Sequence, residues 1–190
     1  MDLILNLPLL KIKKYLNEKK IFTIAIDGKC GAGKTTLAKH LKEYFDKYSL
    51  PCVIVHLDNF IYPKKFRSFY STPKDYDINR FLKEVLIPLK NSKTAAFCLY
   101  SWTDDNFSKK QIINPPIILL VEGVNSADKS LNVFLDFKIF INLDKKIRQQ
   151  RVLKRGNFSK KEFEFWSKTE SEIFKNRDIE NYYDFIYNVN

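Results

Sequence analysis

The chain reads as an α/β protein with a three-layer, parallel-sheet architecture, and three observations predict it. Short apolar runs rich in β-branched residues recur along the sequence, as strands buried on both faces of a parallel sheet do. Segments with apolar residues at helical spacing separate them. Glycine is scarce, five in 190 residues, yet Gly28, Gly31 and Gly33 crowd into one short stretch. Strands joined by helices imply right-handed crossovers and a sheet covered on both faces.

Each element has its own signal. Residues 9–20 (LLKIKKYLNEKK) predict a short amphipathic helix, and IFTIAID, 21–27, the first buried strand. TTLAKHLKEYF, 35–45, carries Leu37, Leu41 and Phe45 on one helical face. CVIVHLD, 52–58, predicts a second buried strand, followed by a long polar-aromatic loop with two prolines. YDINRFLKEVLIPL, 76–89, predicts a helix stopped at Pro88. AAFCLYSW, 95–102, predicts a strand, and TDDNFSKKQ an exposed turn or hairpin. IILLVEG, 117–123, and FKIFINL, 137–143, are the third and fourth buried strands. Helices are expected over 144–156, ended by Gly156, and over 160–174; YDFIYNV is a candidate last strand. Without repeat, low-complexity segment or linker, residues 1–190 predict a single domain.

Composition excludes several classes. Forty-five per cent hydrophobic and 15% aromatic residues exclude a disordered chain. No apolar run approaches the roughly 18 residues of a membrane span. The opening MDLILNLPLL carries Asp2 and Pro8 where a signal peptide needs a basic start, so none is expected. Cys30, Cys52 and Cys98 form no paired framework, which suits a cytoplasmic, reducing location. The net charge of +11 raises nucleic acid as a partner. The lysines are scattered, however, with KIRQQRVLKR the one dense stretch, so nucleic acid is not the expected partner; a homo-oligomer stays open.

The chemistry concentrates in Gly28-Lys29-Cys30-Gly31-Ala32-Gly33-Lys34-Thr35, which fits G-x-x-x-x-G-K-[ST] between a buried strand and an amphipathic helix. Such a loop curls backbone N–H groups around phosphate oxygens, and the helix behind it points its positive end at them. Lys34 is expected on the β- and γ-phosphates of a nucleoside triphosphate, with Thr36 beside them. Thr35 is expected to ligate Mg²⁺. Ligands of open α/β sheets lie beyond the carboxyl ends of strands. Asp58 ends the second predicted strand, where a capping role competes with a chemical one, and Glu122 ends the third. A carboxylate directly after ILLV is costly unless it is paired or faces a cation. Arg148, Arg151 and Arg155, three of only six arginines, share one helical face. Arg suits bidentate phosphate contacts better than Lys, which favours a phosphate clamp over a merely solvated basic face.

These residues resemble the uridine kinase-like branch of the P-loop kinases over nearly the whole chain. IAIDGKCGAGKTTLAKHL is similar to that family's first strand, phosphate loop and helix, and VIVHLDNFIYP to its second strand and Asp-x-Phe-Tyr segment. The resemblance implies ATP and Mg²⁺, Asp58 as general base, and Tyr62 near the acceptor. STPKDYDINRFLKEVLIPL resembles the Pro-x-x-Phe-Asp element, which implies ribose-hydroxyl binding by Asp77, with Tyr76 replacing the Phe. ILLVEGV resembles the strand end that places Glu122 near Mg²⁺. IFINLDKKIRQQRVLKRG resembles a short lid helix whose arginines steady the transferring phosphate. Uridine kinases carry Tyr-Asp-Phe with a nearby His and Arg for the base. Here the segment is Tyr100-Ser101-Trp102-Thr103-Asp104, so only ring stacking by Tyr100 and Trp102 is expected, against a core role for both.

The leading expectation is therefore ATP-dependent phosphorylation of a small acceptor, a nucleoside 5′-hydroxyl first, with Lys34, Asp58, Arg151 and Arg155 catalytic. Pantothenate or a sugar-type metabolite as acceptor, a non-catalytic ATP/RNA-binding regulator or RNA-binding ATPase, and a paralogue that binds ATP without transfer are the rivals. His40 and His56 are read as structural, lacking neighbours at metal spacing. Trp166 and Phe163 are read as core, Cys30 as a small filler open to oxidation, and Glu170 and Arg177 as lid-adjacent charges.

Overall fold

A computed structural model describes residues 21–67, 72–156 and 158–189. The helix expected over 9–20 lies outside the described residues. Five parallel strands form the main sheet in the order β2-β5-β1-β6-β7. They are β1 (Phe22–Gly28), β2 (Cys52–His56), β5 (Ile118–Glu122), β6 (Phe137–Asn142) and β7 (Phe185–Asn188). Residues 185–188 of the YDFIYNV tail therefore do become a strand, paired with β6 from Ile139↔Phe185 to Asn142↔Asn188.

Alternation along β1 assigns the two layers. Phe22, Ile24 and Ile26 face Leu37, Ala38, Leu41 and Phe45 of α1 (Lys34–Lys47). Ala25 faces the other layer, with Val55, Leu119, Val121 and Phe140. That layer includes α5 (Lys160–Lys175), through Trp166 and Phe174, which opens on a Ser159/Glu162 capping box. The preceding α4 (Lys145–Lys154), capped by Asp144, packs against α5 and the loop after β1. A short α6 (Ile179–Tyr182) leads into β7. No helix among the described residues is long and apolar enough to cross a membrane.

Two elements depart from the sequence expectation. The helix does not stop at Pro88. It runs as α2 (Ile78–Phe81), a π turn (Leu82–Leu86) and α3 (Ile87–Lys90). Pro88 lacks an N–H and its ring crowds the carbonyl four residues back. The ladder widens ahead of it, with Ile87 N donating to Leu82 O, and regains α geometry. The second departure is β2, which ends at His56; Leu57–Phe60 turns as a 3₁₀ helix, so Asp58 sits on that turn and not in the strand.

Residues 95–113 form a separate antiparallel hairpin, β3 (Ala95–Ser101) with β4 (Asn106–Ile113). Its outer strand is exposed almost throughout, while Ala95, Phe97 and Tyr100 bury inward toward Phe60 and Leu86. A strand polar on both faces has no place inside a parallel sheet, and this one stays outside it.

Candidate active site

The carboxyl ends of β1, β2 and β5 meet at one edge, and the turns that follow them carry the charged groups. Residues 28–33 connect β1 to α1, whose first turn has no side-chain cap. Its orphan N–H groups are thus left for an anion. Gly31 adopts φ +81°, and a Cβ there would lie 2.7 Å from Arg148 O and 2.9 Å from Val152 Cγ2. The loop is therefore pressed directly onto α4, which only glycine permits. Gly123 plays the matching part after β5. Its Cβ would lie 2.7 Å from Leu57 Cβ, so it lets β5 approach the turn bearing Asp58.

Lys34 is buried and folds back on its own loop, donating to Gly28 O at 2.9 Å and Lys29 O at 3.1 Å. Thr35 Oγ1 donates to Glu122 Oε1 at 3.0 Å, and Thr36 is exposed one residue on. Glu122 is 5% exposed. Burial works to raise its carboxyl, but the His56 bond, Lys34 and Thr35 outweigh it and hold it below the usual range. His56 Nδ1 lies 2.5 Å from Glu122 Oε1, and this bond raises the imidazole against the opposing effect of burial. Among the described residues, no three or more His, Cys, Asp or Glu side chains converge on a metal position. Thr35 and Glu122 nevertheless fit magnesium, an ion that keeps most of its waters and leans on substrate phosphates.

Asp58 is exposed at its surface yet ringed by protein at longer range, as a group on a cleft floor is. That enclosure, with the Glu122 charge behind it, raises its carboxyl; the Tyr76 hydroxyl and Lys34 act the other way, and solvent access moderates the rise. Tyr76 Oη donates to Asp58 Oδ1 at 2.5 Å. The segments 60–62 and 75–77 are zipped together by Asp77 N donating to Phe60 O at 2.6 Å and Tyr62 N to Asp75 O at 2.9 Å. Asp77 caps α2 through Arg80 N at 2.9 Å and accepts the Tyr62 hydroxyl, whose pKa partial burial and this carboxylate raise. Asp58 and Tyr62 on one segment and Asp77 on another are thus brought together. Behind Tyr76 lies a cavity of about 470 Å³ lined also by Ile78, Asn125, Asp128 and Arg177.

The three lid arginines do not act alike. Arg148 is 3% exposed and turned into the protein. It donates to Cys30 O at 3.1 Å and Leu143 O at 3.1 Å, and pairs with Glu170 at 3.5 Å. Glu170, fully buried, also accepts from Cys30 N and from Trp166 Nε1 at 2.8 Å. Arg148 and Glu170 therefore brace the phosphate loop from behind, in place of the phosphate contact expected for Arg148. Lys29 beside them is lowered by burial and then by Arg148. Arg151 is exposed, and a side-chain carbon on Gly33 would lie 3.8 Å from its Nη1, so it faces the loop. Arg155 is exposed at the end of α4, and Ala32 of the loop is buried against the α1 side of the sheet. Cys30 is no reactive filler: burial pushes its thiol up to about 11.

Tyr100 and Trp102 lie on the hairpin. The Tyr100 hydroxyl accepts from Arg67 Nη2 at 2.7 Å and donates to Asp105, and its ring meets Arg67, Trp102 and Phe107. It is enclosed, and its hydroxyl is committed to fastening the hairpin turn; Trp102 stays 49% exposed.

Sequence reasoning passed over Asp27, His56 as a Glu122 partner, and the Tyr76–Asp58 bond. Asp27 is fully buried and accepts from Gly28 N, Asn125 N, Ala127 N, Tyr183 Oη and Arg177, fixing the start of the loop. The signal was present: a carboxylate closing an apolar strand, the same one that singled out Glu122. The His56↔Glu122 register becomes visible only once β2 is known to pair with β5.

A glycine-rich loop capping the central strand, a Thr35–Glu122 pair beside it and an exposed Arg151 facing it make up a P-loop nucleotide-binding arrangement. Residues 23–184 match the model of the phosphoribulokinase/uridine kinase family, and the chain belongs to that family. A uridine kinase from Macrococcus caseolyticus is 27% identical over 143 residues, 72% of this chain and 69% of that protein. A pantothenate kinase from Listeria monocytogenes is 27% identical over 161 residues, 75% of this chain but 53% of that protein. The chain thus spans about half the length of that pantothenate kinase. A structure described as a possible uridine kinase from Bacillus stearothermophilus superposes with a TM-score of 0.70 at 18% identity, covering 95% of this chain and 99% of that one. A D-glycerate 3-kinase from Cryptococcus neoformans gives 0.59 at 13% identity, over 82% and 78%. At such identities the structural likeness shows the fold alone.

Proposed function

We propose that this P-loop kinase transfers the γ-phosphoryl group of ATP to a hydroxyl of a small acceptor, a nucleoside 5′-hydroxyl first. The observation that carries the reading is Asp58, open to solvent on the edge shared with Lys34 and Glu122 and zipped to the Tyr62–Asp77 pair. Asp58 takes the acceptor proton as the oxygen attacks the γ-phosphorus and the bond to the bridging oxygen of ADP breaks. Lys34 leaves its carbonyl contacts for the phosphates, and the α1 amides and Arg151 neutralise charge on the transferring group. Asp77 and Tyr62 hold neighbouring acceptor hydroxyls. Thr35 and Glu122 would hold magnesium, which shields phosphate charge when bound.

A second acceptor class, pantothenate-like and without a base, is favoured by one observation. The Tyr100 hydroxyl, the hairpin group best suited to reading a base, is already consumed by Arg67 and Asp105. ADP release across nucleosides, pantothenate and sugar-type acceptors separates the two. Asp58→Asn is expected to lower acceptor-dependent turnover by about 10²–10⁴-fold. Turnover untouched by that substitution refutes Asp58 as the base, and stimulation by a non-nucleoside alone overturns the nucleoside assignment.

A further inference from the structure

We propose that Tyr76 is a positioning residue that locks Asp58 in one orientation, occupying Oδ1 so that Oδ2 alone meets the acceptor hydroxyl. The role rests on Asp58 acting as the base. The geometry depends on a departure from the family pattern that this segment resembles, which has a phenylalanine at the position and no donor to offer. Tyr76 is 5% exposed, its hydroxyl lies 2.5 Å from Asp58 Oδ1, and its backbone is fixed by an antiparallel bridge to Ile61. The ring cannot drift from Asp58 without undoing the hydrogen bonds that join 60–62 to 75–77.

The direction of the bond is settled by chemistry. Burial, and then the Asp58 charge, raise the Tyr76 phenol well above its ordinary value, so it remains the donor and Asp58 the acceptor. Five groups face Asp58 from the elements around it, one of them the Cys30 thiol of the phosphate loop, which stays neutral because burial pushes it up to about 11. Glu122 at the end of β5 disfavours its ionisation, while Lys34 of the phosphate loop, His56 of β2 and Tyr76 favour it. Of the favouring groups, only Tyr76 is joined to Asp58 by a side-chain hydrogen bond. Lys34 is expected to turn to the phosphates when nucleotide binds, and His56 is committed to Glu122. Tyr76 is then the group that keeps the base ionised and aimed while the acceptor sits over it.

The test is Tyr76→Phe, which keeps the ring and removes the donor. Two readouts are taken: the Asp58 carboxyl titration by ¹³C NMR of aspartate-labelled protein, assigned with Asp58→Asn, and the acid limb of kcat/KM. The expected result is an upward shift of the Asp58 midpoint by about 1 pH unit, from loss of a bond to the charged form. The acid limb should follow it, with the largest loss of kcat at low pH. An unchanged Asp58 midpoint overturns the positioning role of Tyr76, whatever the acceptor. A shifted midpoint with an unmoved acid limb overturns Asp58 as the base, which is the failure of the underlying reading and is distinguishable from the first. Activity, midpoint and acid limb all unchanged mean that the tyrosine only fills space, and likewise overturn the proposal.

Discussion

Arg148→Ala separates a brace from a phosphate clamp. The guanidinium is 3% exposed and Glu170 fully buried, so solvent screening contributes nothing to discount. Removing one partner of a buried ion pair costs about 3–5 kcal/mol. At 3.5 Å the contact is longer than a strong charge-assisted bond, so the lower figure applies, supported by the lost bonds to Cys30 O and Leu143 O. For a chain of this size, about 3 kcal/mol corresponds to roughly 6–12 °C in Tm. Arg151→Ala, on the exposed side of the same helix, should stay within about 0.5 kcal/mol of the parent. It should instead lose activity on the order of 10²-fold, as loss of one group stabilising the transferring charge does. Calorimetric melting of both variants beside their ATP kinetics decides between the roles. An Arg148→Ala protein that melts within about 2 °C of the parent, while losing kcat as Arg151→Ala does, would refute the bracing role.

The remaining predictions concern two titratable side chains. In magnesium-free protein, the Tm difference between parent and His56→Ala should be greatest between about pH 4.5 and 6.5, the ordinary values of Glu122 and His56. The raised His56 contributes fully below its unfolded value and loses its contribution as pH rises through the folded one. The lowered Glu122 contributes above its unfolded value and loses its contribution as pH falls through the folded one; a pH-independent difference contradicts the pair. Cys30, whose thiol burial pushes from 9.0 up to about 11, should be alkylated at pH 8 about 100-fold more slowly in the folded protein than in urea. Equal rates by mass spectrometry refute that burial.

How far the site was legible follows from its residues. The phosphate loop was readable because its glycines answer a local backbone demand, and Glu122 because a carboxylate closing an apolar strand needs a partner. Arg148 was misjudged because helical spacing assigns residues to a face but does not say whether that face meets phosphate or Glu170. Asp58 was located, though the 3₁₀ turn that carries it depends on Leu57 packing under Gly123. The π turn before Pro88 followed a local rule in part: proline perturbs the helix, but packing of Phe81, Val85, Leu86 and Leu89 lets it continue.

By itself the sequence determined the three-layer architecture, the parallel strands and the glycine-rich loop with the phosphate-binding pattern. Strand periodicity, helix caps and glycine backbone freedom are all properties of neighbours along the chain. Only the tertiary structure decided which charges stay exposed beside the loop and which are buried holding it. Arg148 and Glu170, Asp27 and Arg177, and Tyr76 and Asp58 are separated by 22, 150 and 18 positions. The strength and direction of such contacts depend on burial and distance, quantities that exist only once the sheet has brought the segments together.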